Sequence, residues 1–149
     1  MNFNSSLSQR TKTVSNRARK ILLVEDDLHW QMVMSRVLKS LDENIVIRCV
    51  RNAKQAHEAL ANSPNYDLII ADHFIDGEVT GFDFWKECRT RHHRIPFVMI
   101  SSMTESEFVK LTKQAGHPIF VSKPFEVEDL KSLLTWQLGM PSDKASLTK

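Results

Sequence analysis

The sequence predicts a three-layer α/β sandwich built around a five-stranded parallel sheet. Three observations carry that prediction. Five short apolar runs occur, at residues 21–24, 45–47, 68–71, 97–100 and 119–121, and an amphipathic segment follows each. The runs are continuous rather than alternating, as parallel strands are when helices cover both sheet faces.

The first run, Ile21 to Val24, ends in Glu25-Asp26-Asp27. Trp30, Val33, Met34, Val37, Leu38 and Leu41 follow at the spacing of one helix face, and Asp27 is placed to cap that helix. Ile45-Val46-Ile47 reads as the second strand and Ala53 to Ala61 as a helix stopped by Asn62-Ser63-Pro64-Asn65. Leu68 to Ala71 is the third strand, and Phe82, Trp85 and Cys88 mark one side of the next helix. Phe97 to Ile100 is the fourth strand. Thr104-Glu105-Ser106-Glu107 resembles a capping box, and Gly116 is expected to close the helix it opens. Ile119 to Val121 is the last strand, and Val127, Leu130, Leu133, Leu134 and Leu138 stripe the last helix. Five β/α units in about 120 residues form a doubly wound, flavodoxin-like sandwich of strand order 2-1-3-4-5 and leave no room for a second domain.

Composition removes several classes. The longest apolar stretches run to four or five residues, far short of the roughly 20 that a membrane-spanning helix needs. The first ten residues lack the apolar core of a secretory signal, so a cytoplasmic location is expected. Two cysteines, Cys49 and Cys88, make no disulfide framework and read as reduced, part-buried thiols. Residues 1–20 carry a net charge of +5 and the remainder −3. The expected organisation is a disordered basic arm at 1–18, one domain at 19–139 and a flexible tail at 140–149. The arm, which has no interleaved aromatics, reads as solvated rather than as a polyanion-binding element.

Ligands of an open parallel sheet sit beyond the carboxyl ends of its strands. Here those ends carry Glu25-Asp26, Asp72, Ser101-Ser102 and Lys123-Pro124. A lone Asp after a strand is usually a turn or cap residue, but four such ends converge on one rim. Clustered carboxylates repel unless a cation compensates. Lys123 supplies one positive charge and Mg²⁺ would supply the rest, since it accepts two or three carboxylates and keeps several waters. A divalent ion, a lysine and a hydroxyl are what phosphoryl transfer needs around the moving group.

The sequence resembles the receiver domain of two-component response regulators. The matching pieces are ILLVEDD at 21–27, YDLIIADHFIDG at 66–77, Gly81-Phe82, PFVMIS at 96–101 and VSKPF at 121–125. The resemblance implies that Asp72 is the phosphoacceptor, attacking a phosphohistidine on a sensor histidine kinase or histidine phosphotransfer protein. It implies that Glu25, Asp26, Asp72 and the backbone carbonyl of Phe74 hold Mg²⁺. Lys123 would pair with the phosphoryl group, with a cis peptide before Pro124. Ser101 would hydrogen-bond a phosphoryl oxygen, and Ser101 and Phe120 would form the switch. The face of the fourth helix, fifth strand and fifth helix would then engage a downstream protein. Reading the acidic pair as Asp26-Asp27 is the alternative register; the pair directly after the strand is preferred because it leaves Asp27 as the cap.

The chain departs from the family pattern after Asp72. Asp76 stands where proline is usual, and Gly81 comes nine residues on rather than eight. Phe74 and Met103 occupy the positions flanking the path of an attacking water, and neither can hydrogen-bond one. Slow self-dephosphorylation is therefore expected. The reading is of a stand-alone signalling protein with no DNA-binding domain and no membrane contact, catalysing only its own phosphotransfer. The alternative is a degenerate receiver acting as a phosphorylation-independent docking module. A nucleotide- or flavin-binding module would need a glycine-rich loop after the first strand, where this chain has acids. Six histidines fall in different elements without metal spacing and read as exposed or capping, with His73 beside the rim. Trp30 and Trp85 read as core.

Overall fold

The computed structural model describes residues 17–113 and 116–141. The expected arm, apart from Arg17 and Ala18, and the tail beyond Pro141 lie outside the described residues. In chain order the elements are β1 (Lys20–Val24), α1 (Leu28–Leu41), β2 (Val46–Val50), α2 (Ala53–Asn62), β3 (Leu68–Ala71), α3 (Gly81–Arg91), β4 (Phe97–Ser101), α4 (Glu105–Thr112), β5 (Ile119–Ser122) and α5 (Val127–Gln137). All neighbouring strands pair in parallel, in the order β2-β1-β3-β4-β5.

Side chains alternate across a strand, and this splits the core into two. Leu22, Val24, Ile69, Ala71 and Met99 face α2, α3 and α4, where they meet Leu60, Phe84 and Phe108. Ile21, Leu23, Ile70, Val98 and Ile100 face α1 and α5, packing on Met34, Leu38, Leu130 and Leu134. The three inner strands are almost completely buried, which is why they read as unbroken apolar runs.

The edges depart from the expectation. Strand β2 begins at Val46 and runs to Val50, so Arg48 and Cys49 lie within it, exposed on its free edge. Cys49 is thus exposed while Cys88 is buried, where burial pushes its thiol up to about 12. Helix α4 stops at Thr112, short of Gly116, which adopts a φ of 76° beyond it. Its capping box is present, with Thr104 and Glu107 satisfying each other's backbone N–H groups. Val127 opens α5 in an exposed position rather than joining its buried stripe. Trp85 is buried as expected, whereas Trp30 is only half-buried and belongs to neither apolar cluster among the described residues.

Candidate functional site

The site residues extend the sheet ladder just past the strands, so the sheet itself fixes their positions. The Glu25 N–H donates to the Val50 carbonyl (2.9 Å), the Asp72 N–H to Val24 (3.0 Å) and the Lys123 N–H to Ser101 (2.8 Å). Asp27 caps α1, accepting from the His29 and Trp30 backbones. The Lys123–Pro124 peptide is cis. Together these ends border a cleft of about 460 Å³ lined by Glu25, Asp26, Asp27, Trp30, Asp72, Phe74, Ser102, Lys123 and Pro124.

Lys123 is the hub. Its Nζ donates to Glu25 Oε1 at 2.5 Å and to Asp72 Oδ2 at 2.9 Å, and its side chain is 5% exposed. Asp72, 8% exposed, accepts the Phe74 backbone N–H on its other oxygen at 3.1 Å. The Trp30 ring centroid lies 4.5 Å from the Lys123 ammonium. A cation–π contact of this kind, partly desolvated, contributes about 2 kcal/mol. Trp30 in turn packs on Phe125, with ring centroids 5.7 Å apart.

Burial raises the Glu25 carboxyl above its usual range; Lys123 opposes that shift and the Asp72 charge adds to it. Asp26 is also raised, first by burial and then by the neighbouring Asp76 carboxyl. Asp76 is tied by Arg51, whose Nη2 lies 3.0 Å from Asp76 Oδ2, and by a single parallel bridge between Asn52 and Asp76. Two carboxylates therefore converge on Lys123 while the third leans toward a fourth. Among the described residues no three His, Cys, Asp or Glu side chains form a ready-made cation cage. The donor chemistry still fits Mg²⁺, which takes carboxylate and carbonyl oxygens and keeps several of its waters. Burial first, and like charge after it, raises Glu25 and Asp26, and a bound cation would favour the charged forms of both.

The remaining predicted residues are less close to the cleft. Ser101 is fully buried, and its Oγ accepts the Met103 N–H at 3.3 Å; Ser102 is the serine that lines the cleft. Met103 is buried and Phe74 is 55% exposed. Phe120 is half-buried and stacks on Phe108, with centroids 4.3 Å apart and planes at 11°. His73 is buried with its Nδ1 unpartnered among the described residues, and burial lowers its pKa despite the charges of Asp72 and Asp83. Sequence reasoning missed the Trp30–Lys123 contact and the Arg51–Asp76 pair. Trp30 sits in the first turn of the helix that follows the acidic pair, a position at the rim rather than over the sheet, and that was the available signal.

No helix among the described residues is long and apolar enough to cross a membrane. Residues 21–135 match the family profile described as the response regulator receiver domain. The chain is 30% identical over 125 residues to the two-component response regulator ORR3 of Oryza sativa subsp. indica, covering 83% of this chain and 93% of that protein. It is 31% identical over 116 residues to the response regulator RppA of Synechocystis, covering 77% of this chain but only 48% of RppA, so it spans about half of that relative. Among solved structures, the receiver domain of the sensor histidine kinase PA1611 from Pseudomonas aeruginosa, with magnesium coordinated in its active site cleft, superposes with a TM-score of 0.70 at 26% identity, covering 83% of this chain and 99% of that one. With the sheet order, the strand-end acids and the profile in agreement over most of its length, the chain belongs to the response regulator receiver domain family and to two-component signalling.

Proposed function

We propose that this protein is a response regulator receiver that accepts a phosphoryl group on Asp72. The observation that carries the reading is the Lys123 ammonium joined to Glu25 and Asp72 in one cleft. An Asp72 carboxylate oxygen attacks the phosphorus of a phosphohistidine on a sensor histidine kinase or phosphotransfer protein. The P–N bond breaks, the imidazole leaves with its electron pair and takes a proton from solvent, and an acyl phosphate remains. Glu25, Asp26, Asp72 and the Phe74 carbonyl would hold Mg²⁺, which neutralises charge on the phosphoryl oxygens. Lys123 holds the Asp72 carboxylate before attack and then exchanges that contact for a phosphoryl oxygen. The Ser101 hydroxyl, which accepts the Met103 N–H at the entry to α4, would donate to a phosphoryl oxygen, and any movement it makes to do so is passed to α4, Phe108 and Phe120 and the α4-β5-α5 face.

Incubation with acetyl phosphate and Mg²⁺, read by intact mass, tests this. The wild-type protein gains one phosphoryl mass and Asp72→Asn does not. Equal labelling of the two would overturn the assignment. Binding to a partner that is indifferent to Asp72→Asn would favour the alternative, a docking module independent of phosphorylation.

A further inference from the structure

The Lys123 ammonium has three N–H groups. Two are directed to Glu25 and Asp72, and the side chain is 5% exposed, so little water reaches the third. What covers the remaining side is the Trp30 indole, 4.5 Å away. That indole also packs on Phe125, with centroids 5.7 Å apart, and makes an edge contact with His29 at 5.5 Å. It joins neither apolar cluster among the described residues, so filling the core does not account for a tryptophan here.

We propose that Trp30 is the positioning residue for Lys123, its ring face holding the ammonium at the cleft so that an incoming phosphoryl group meets an already desolvated, aimed cation. The indole attracts the charge without offering a hydrogen-bond acceptor. Lys123 is therefore free to give up the Asp72 oxygen to a phosphoryl oxygen while its position is kept. A carboxylate or carbonyl in the same place would compete with the phosphoryl group for the N–H. The proposal rests on Asp72 being the phosphoacceptor.

The test compares Trp30→Phe, which retains a π face, with Trp30→Leu, which retains only apolar bulk. Labelling by acetyl phosphate in Mg²⁺ is expected to slow about tenfold in Trp30→Leu and to stay within about threefold of wild type in Trp30→Phe. The Lys123 ε-methylene protons should show an upfield ring-current shift in wild type, reduced in Trp30→Phe and lost in Trp30→Leu. Equal labelling rates for the Phe and Leu variants, or no ring-current shift in wild type, would overturn the proposal. A wild-type protein that takes no label at all removes the phosphorylation reading instead, and the ring-current shift then still decides whether Trp30 places Lys123.

Discussion

Gly81 and Asp72 approach so closely that a Cβ on the glycine would stand 2.0 Å from the Asp72 carbonyl oxygen and 2.8 Å from the His73 Cα. The Gly81 N–H donates to the His73 carbonyl at 2.9 Å, so the start of α3 is sewn to the backbone of the proposed phosphoacceptor. Both obstructions are backbone, which cannot swing aside. Gly81→Ala should therefore cost about 2 kcal/mol in a urea melt, as overpacking does, and should slow Asp72 labelling by displacing its backbone. Unchanged stability and unchanged labelling together would mean the loop after Asp72 relaxes freely.

Lys123→Met leaves two buried carboxylates facing each other. Glu25 is already raised by burial with Lys123 opposing that shift, so removing the lysine raises it further. A raised acid binds its proton more readily folded than unfolded, so stability is lost as pH rises through the folded-state pKa. The variant should lose about 3 kcal/mol at pH 8 and recover much of it near pH 5, a steeper fall with rising pH than in wild type. Urea midpoints measured across that range check this, and parallel curves for the two proteins would refute it.

How much of this was readable in the sequence follows from burial. Strands β1, β3 and β4 are covered on both faces, so their apolar runs mark them directly. Strand β2 is an edge, and the polar residues its free side tolerates hid its true span. The positions of Glu25, Asp72 and Lys123 follow from strand ends, because each donates its N–H to the neighbouring strand. Ser101 was placed at the right strand end, but its inward, Met103-bonded hydroxyl depends on packing around α4. The Arg51–Asp76 pair joins two loops 25 residues apart, and no local pattern announces such a contact.

Phe74 stands beside Asp72 at the cleft edge and is 55% exposed. It offers no atom to align a water for attack on the acyl phosphate. Phe74→Asn should speed loss of the phosphoryl group about tenfold, since orienting the nucleophile lowers the barrier. The decay of the phosphorylated mass after removal of acetyl phosphate measures it; an unchanged or slower decay would exclude Phe74 as the cause of a long lifetime.

Phe120 lies face to face with Phe108 at 4.3 Å, beside a depression of about 840 Å³ between α4 and β5. If the Ser101 hydroxyl moves toward a phosphoryl oxygen, the Met103 N–H loses its acceptor and the segment leading into α4 shifts. The stacked rings should then separate, and the ring-current shifts of Phe108 and Phe120 should diminish on labelling. Ser101→Ala should take label at Asp72 yet keep the stacked signature. Separation that survives Ser101→Ala would assign the coupling to some other contact.

Asp76 replaces the proline usual in this loop and brings a carboxyl to Asp26, with Arg51 holding it there. Asp26 is thereby raised, burial being the larger cause and Asp76 the next. Asp76→Asn removes the like charge while preserving the size of the side chain and an oxygen for Arg51. The Asp26 carboxyl, followed by carbon NMR, should then titrate lower than in wild type, toward the ordinary aspartate range. Because a raised acid lends stability that fades as pH rises, the substitution should also flatten the dependence of stability on pH and leave the metal-free protein more stable at neutral pH. Arg51→Ala should act in the opposite sense, freeing an unneutralised Asp76 beside Asp26 and raising Asp26 further. An Asp26 titration identical in all three proteins would show that the two carboxyls do not interact, and that the residue in place of proline leaves the acidic pair electrostatically untouched.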